Sequence, residues 1–261
     1  MTETPPLIRH DDDRGVATLT LNRPEKHNAL NAALIDALAD AAADIQASSS
    51  VRVVVLAAAG ESFCAGGDLD WMRAQAAATR AGRIAEARRL ASMLGALDSL
   101  SKPLIARVQG QAYGGGLGLM SVCDTVIAAG PGRFAFTETR LGLTPATISP
   151  YVVKRMGEAK ARGVFGSGRV FDAAEAVHLG LIARAVAAEA LDAAVEAEIT
   201  PYLAAAPGAV AAAKALIRSV SPGPDSAMVD RTIEALADRW ETAEAKEGIA
   251  AFFEKRRPGW R

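Results

Sequence analysis

Three adjacent glycines, Gly114-Gly115-Gly116, stand just behind an apolar run from Leu104 to Val108 and ahead of a short apolar segment ending near Asp124. A turn without Cβ atoms lets bare backbone N–H groups approach a ligand, and a helix starting there adds the positive end of its dipole. A second turn of the same build lies upstream, in Ser62-Phe63-Cys64-Ala65-Gly66-Gly67-Asp68-Leu69, again between an apolar run and a helical pattern. Two such turns can give two donors to one oxygen, so the chain must alternate strands with helices and hold both turns close together.

The pattern along the chain agrees. Gly15 to Leu21 alternates as a strand, and after Pro24 a helical spacing runs through Leu30, Leu34, Ile35, Leu38 and Ile45. Strands follow at Val51 to Leu56, Leu104 to Val108, Thr125 to Ala129, Arg133 to Phe136 and Leu181 to Val186. The Ala- and Arg-rich stretch up to Leu100 reads as helix broken near Gly82, and Asp172 as the N-cap of a helix ending at Gly180. From Leu191 onward helix dominates, with breaks at Pro207 and at Ser221-Pro222-Gly223-Pro224. The expected fold class is α/β with a mostly parallel or mixed sheet in residues 1–190 and an all-helical module in residues 191–261.

With 29 Lys+Arg against 30 Asp+Glu, the 261-residue chain has no overall field that favours nucleic acid or an anionic membrane. No apolar stretch reaches the roughly 20 residues needed to span a bilayer, and the first residues carry no export or transit pattern. A soluble, cytoplasmic protein is expected. Cys64 and Cys123 lack metal or disulfide spacing, and His10, His27 and His178 have no clustered partners, so neither a metal site nor a triad is expected. Neither glycine turn matches a nucleotide fingerprint: Leu119 stands where a dinucleotide motif needs glycine, and no Lys-Ser/Thr pair follows. A Gly-x-Ser-x-Gly elbow is also missing.

Phe63 to Asp68, Tyr113 to Gly116 followed by Cys123-Asp124, and Phe134 to Gly142 together resemble the signature blocks of the crotonase family, the enoyl-CoA hydratase/isomerase superfamily. Asn22 to Leu30 and Phe252 to Pro258 fit the same family, in the same order along nearly the whole chain. The resemblance implies a crotonase-like ββα spiral core and a C-terminal helical module used in trimer contacts, commonly as a homotrimer or a homohexamer. It also implies an acyl-CoA thioester as partner, with coenzyme A part of the substrate and no separate cofactor.

By the same resemblance the thioester oxygen accepts from the N–H groups of Ala65 and Gly115, and Glu138 is the acid/base. Lys26, Ala29, Leu30, Gly67, Asp68, Leu69, Gly114, Phe253 and Lys255 are expected at the acyl-CoA, although Asp68 opens a helix and suits a structural cap. Family hydratases carry a further glutamate where this chain has Gly118. Leu141 to Tyr151 resembles the form found in relatives assigned to methylglutaconyl-CoA or other branched, carboxylated substrates, so Arg140 and Tyr151 are candidates for a substrate carboxylate. The expected reaction is hydration of a 2-enoyl-CoA. Isomerisation of the double bond by Glu138 alone, acyl-CoA binding without turnover, and thioester hydrolysis are the alternatives.

Overall fold

A computed structural model describes residues 4–221 and 223–260. Its main sheet has six strands in the order β1 (Leu7–Asp11), β2 (Val16–Leu21), β3 (Val53–Ala58), β4 (Leu104–Val108), β6 (Thr125–Ala129) and β9 (Arg184–Val186). Strand β1 runs antiparallel to β2 and every other pair is parallel. A smaller sheet joins β5 (Ala112–Tyr113), β7 (Arg133–Ala135) and β8 (Phe171–Asp172). The mixed sheet expected from the sequence is present, and β1 is an addition, because its LIRHD run alternates too weakly to read as a strand.

Every residue of β3 is buried, as a central strand flanked by layers on both faces requires. Val54, Leu56 and Ala58 join the large core with α1 (Ala32–Ala47) and α3 (Arg80–Asp98), while Val53, Val55 and Ala57 face the other way onto Leu191, Val195 and Ile199 of α8 (Leu191–Ala204). This strict alternation follows from the two-residue period of a strand. Burying one such aliphatic side chain contributes about 1.5–3 kcal/mol. The break placed near Gly82 falls instead between α2 (Leu69–Ala77) and α3, where the Thr79 side chain accepts from the Gly82 N–H. Gly82 lies inside the first turn of α3, where its helix cost is offset by that cap.

Asp172 caps α7 (Ala173–His178) through the Glu175 N–H, as its sequence position suggests. Between these elements lie α4 (Gly115–Ser121), α5 (Ser149–Met156) and α6 (Glu158–Phe165). The C-terminal helices part at the two expected breaks into α9 (Pro207–Val220) and α10 (Ser226–Trp240), and a further break at residues 241–242, not expected from the sequence, begins α11 (Ala243–Phe253). They return to the core: Ile233 of α10 packs on Ala87 and Ala91 of α3, and Ala245 and Ile249 of α11 pack on Leu143 and Trp240. Helix α9 buries no residue and leaves Leu216, Ile217 and Val220 more than 60% exposed. Among the described residues no single helix is long and apolar enough to cross a membrane.

Candidate active site

Backbone pairing brings the two glycine turns together. The Phe63 N–H donates to the Gln111 carbonyl at 3.0 Å and the Tyr113 N–H to the Cys64 carbonyl at 2.9 Å, so the upstream turn lies along β5. The Leu30 N–H donates to the Gly66 carbonyl at 2.7 Å, and the Asp68 N–H returns to the Leu30 carbonyl at 2.9 Å. Gly66 takes φ +91, and a Cβ there would lie 3.0 Å from the Tyr113 carbonyl oxygen, so this close approach needs glycine.

That pairing corrects one expected donor. The Ala65 N–H donates to the His27 carbonyl at 3.0 Å and is therefore spent within the protein. Gly67, one step beyond the Leu30 pairing, keeps an N–H that meets no acceptor among the described residues. The Gly115 N–H is likewise unpaired, because Gly115 is the first residue of α4 and has no intrahelical acceptor. Gly67 and Gly115 thus each keep an unpaired amide in the paired turns, as do Gly66 and Gly116.

Glu138 arrives through the second sheet. Tyr113 pairs with Ala135 in the parallel β5–β7 register, and the Gly114 N–H donates to the Ala135 carbonyl at 3.0 Å. Phe136 is fully buried against Phe165, with ring centroids 4.6 Å apart, and anchors the strand end. The chain then turns through Glu138–Leu141 and closes at Gly142, whose φ of +73 suits glycine. A Cβ at Gly114 would sit 2.9 Å from Glu138 Oε1, which sets the carboxyl directly beside the triple glycine.

The residue is half-buried, but its Oε2 is enclosed and makes no hydrogen bond among the described residues. Burial pushes the carboxyl up to about 7, opposed only by a hydrogen bond from its own backbone. A carboxyl with one enclosed, unpaired oxygen and a value near neutrality is suited to moving protons.

The other expected acid position is closed. Gly118 is buried, and a Cβ there would overlap the Ile148 side chain and come within 3.8 Å of Leu94 Cδ1. No larger residue enters without moving Ile148, so a methyl branch occupies the ground where the family resemblance implied a second carboxylate. Tyr151 is buried on α5, with its hydroxyl facing Gly95, and lies off the cavity wall. Burial and then the nearby Asp98 charge push its phenol up to about 12, so it stays neutral.

Gly67, Gly115 and Glu138 share one cavity of about 720 Å³ with Lys26, Ala29, Leu30, Asp68, Leu69 and Gly114. Asp68 carries the structural task its position suggested: its side chain accepts from the Asp70 and Trp71 N–H groups and pairs with Arg23 at 2.7 Å. Burial pushes Asp68 up, yet these hydrogen bonds outweigh burial and hold it below the usual range. Lys26 stands at the mouth, 3.2 Å from Asp70.

From the C-terminal segment the cavity takes Phe252 and Arg256 rather than Phe253 and Lys255. Phe253 lies under the Arg73 guanidinium at 4.3 Å, and Lys255, at φ +54, does not line the cavity. Leu236, Trp240 and Gly248 complete this roof, so the helical module builds part of the same site. A Cβ at Gly248 would lie 2.5 Å from the Leu141 carbonyl oxygen, and Arg239 donates to the Gly142 carbonyl at 2.6 Å. The roof therefore clamps the turn that carries Glu138.

Cys64 and Cys123 are free, buried thiols raised to about 12 by burial and so remain protonated. Among the described residues no His, Cys, Asp and Glu group could hold a metal ion.

A strand-and-helix fold that brings two glycine turns and one enclosed carboxyl to a single cavity has the parts needed to stabilise a developing charge on oxygen. The enoyl-CoA hydratase/isomerase family profile matches residues 11–261, and the chain belongs to that family. It is 34% identical over 248 residues to a Rhizobium meliloti (strain 1021) protein named "Probable enoyl-CoA hydratase", covering 93% of each chain. A crystal structure of an enoyl-CoA hydratase from Mycobacterium avium superposes with a TM-score of 0.86 at 33% identity, over 99% of this chain and 100% of that one. An enoyl-CoA hydratase from Mycobacterium smegmatis gives 0.81 at 38% identity, over 98% and 99%.

Proposed function

We propose that the protein hydrates a 2-enoyl-CoA, with the Gly67 and Gly115 N–H groups holding the thioester oxygen and Glu138 moving the proton. The observation that carries this reading is the unpaired Glu138 carboxyl, poised near neutrality beside two unspent amides. Each amide strengthens its hydrogen bond as the carbonyl oxygen gains enolate charge, and such donors are worth roughly 10²–10³-fold in rate apiece. Glu138 takes a proton from water as the water oxygen bonds Cβ. The same carboxyl then delivers that proton to Cα, which leaves C–OH and C–H where the double bond stood. Both steps use one face of the acyl chain.

Arg140 lines the cavity with no ion pair among the described residues, and it is the cation suited to a carboxylated acyl chain or to coenzyme A phosphate. The exposed Leu216, Ile217 and Val220 of α9 offer an apolar face for the trimer expected from the family resemblance.

A second reading, double-bond migration, is favoured by the closed Gly118 position, because one carboxyl suffices to carry a proton between two carbons. A panel of 2- and 3-enoyl-CoA esters separates them. Loss of the conjugated thioester absorbance with formation of 3-hydroxyacyl-CoA supports hydration. Appearance of that absorbance from 3-enoyl esters alone supports migration, and binding without either change removes both.

A further inference from the structure

Helix α2 lines the cavity with Leu69, Trp71 and Met72, yet none of its nine residues joins an apolar cluster of the core. Only Met72 and Gln75 of the helix are buried. What holds this wall is polar. At its start Asp68 caps the helix and pairs with Arg23, and the Trp71 Nε1–H donates to Glu86 at 3.1 Å. At its far end Arg83 of α3 donates from Nε to the Gln75 carbonyl at 2.8 Å and from Nη2 to the Ala76 carbonyl at 3.2 Å. Carbonyls in a last helical turn lack intrahelical partners and carry the negative end of the dipole, so a guanidinium suits them.

The same guanidinium reaches α10. Its Nη1 donates to Glu241, the C-cap of α10, and its carbon lies 5.6 Å from the ring centroid of Trp240, which roofs the cavity beside Leu236. The Arg83 side chain is 10% exposed, so these bonds are less screened than those of a surface pair. Its planar fork serves acceptors on two helices at once, which a lysine point charge would not. A residue outside the cavity thus ties the far end of one wall to the end of the roof.

We propose that Arg83 is a positioning residue that sets the gap between α2 and α10, and so limits the length of acyl chain that the cavity accepts. The inference rests on the acyl-CoA reading above, not on the choice between hydration and migration. Without the guanidinium, α2 keeps the Asp68 and Trp71 bonds at its start and is free to tilt at its other end, while Trp240 stays packed with Leu143, Ala245 and Ile249. Gly67 lies before the Asp68 anchor, so its amide keeps its place. Loss of Arg83 therefore relaxes the choice among acyl chains and leaves capture of the thioester intact.

The test is Arg83→Met, which keeps an unbranched stem and removes the donors. Glu241→Gln cuts only the α10 half of the tie, at a half-exposed position, and serves where the first variant folds poorly. Arg80→Gln is the control, because Arg80 joins α10 to α3 through Glu234 and Asp238 and makes no bond to α2. Calorimetry with saturated esters from butyryl-CoA to palmitoyl-CoA reads the accepted length. Wild-type affinity is expected to fall beyond a limiting length. Arg83→Met is expected to bind esters beyond that limit roughly tenfold more tightly, about the worth of one methylene in an apolar pocket, with butyryl-CoA within about twofold. Glu241→Gln is expected to shift in the same direction by a smaller factor, and Arg80→Gln to keep the wild-type limit. Spin labels on Ala74→Cys in α2 and Ala235→Cys in α10, both exposed, are expected to report a longer or broader distance in Arg83→Met. Cys64 and Cys123 are buried and stay out of the labelling.

The proposal is overturned if wild type shows no limiting length, if neither Arg83→Met nor Glu241→Gln raises long-chain affinity, or if Arg80→Gln shifts the limit as far. Equal weakening of every ester in Arg83→Met marks a merely structural role and overturns it too, as does an unchanged label distance. Failure of the acyl-CoA reading is seen separately, in wild-type protein that binds no ester of any length.

Discussion

The two walls of the cavity are built in different ways. One is backbone alone: Gly67 and Gly115 present N–H groups fixed by parallel pairing with Leu30, Gln111 and Cys64. The other is side chain: Glu138 supplies a carboxyl and Ile148 covers Gly118. On the proposed reading, activation of a thioester oxygen depends on the shape of the turns and not on which side chains surround them. On the same reading, the choice of reaction falls to Glu138 and to Ile148, which closes the Gly118 position.

The largest expected effect is on the side-chain wall. Glu138→Gln removes the proton carrier and is expected to lower hydration kcat by roughly 10²–10⁴-fold with little change in acyl-CoA binding, read by steady-state kinetics and calorimetry. Equal losses in binding would join the two walls into one and break the distinction. On the backbone wall, Gly115→Val places a Cβ 2.8 Å from Leu30 Cδ1 and is expected to cost roughly 10²–10³-fold in kcat by disturbing a donor, with folding followed by circular dichroism.

Asp68→Ala leaves Arg23 in a largely buried position without its carboxylate partner and is expected to cost about 3 kcal/mol in denaturant unfolding. It tests whether the upstream turn is held by that pair.

The Glu138 carboxyl has its own pH signature. Its folded value of about 7 lies above the ordinary 4.5, so the folded protein holds this proton more tightly than the unfolded chain does. The contribution is fully present below about pH 4.5 and is lost as pH rises through about 7, a span of at most about 3 kcal/mol. Glu138→Gln is thus expected to match wild type in acid and to exceed it in stability above neutrality, measured by urea midpoints against pH. As a base toward water, Glu138 must be ionised, so kcat/KM for hydration is expected to rise with pH and level off above about 7.

The smallest effect is expected outside both walls. Glu158→Ala removes an exposed i,i+4 partner of Arg162 on α6 and is expected to change stability by less than about 0.5 kcal/mol and activity not at all.

The longer strand runs, both glycine turns and Glu138 could be read from the sequence because each is a local pattern, whereas β1 and the two-residue β5 and β8 could not. Which amide faces the cavity could not, since that depends on Leu30 pairing across the chain with Gly66 and on His27 taking the Ala65 N–H. The fate of Gly118 depends on Ile148, thirty positions on, and is visible only once α4 packs beside the loop leading into α5. Phe252 and Arg256 were displaced by one position from the expected Phe253 and Lys255, because the end of α11 fixes which side of the helix faces the cavity.

The decisive measurement is the infrared carbonyl stretch of an enoyl-CoA labelled with carbon-13 at the thioester, bound to the Glu138→Gln protein so that it does not turn over. If the Gly67 and Gly115 amides both grip that oxygen, the band moves to lower frequency than in free ester, and Gly115→Val in the same background moves it back. A bound ester whose carbonyl band stays at its free position would contradict the account.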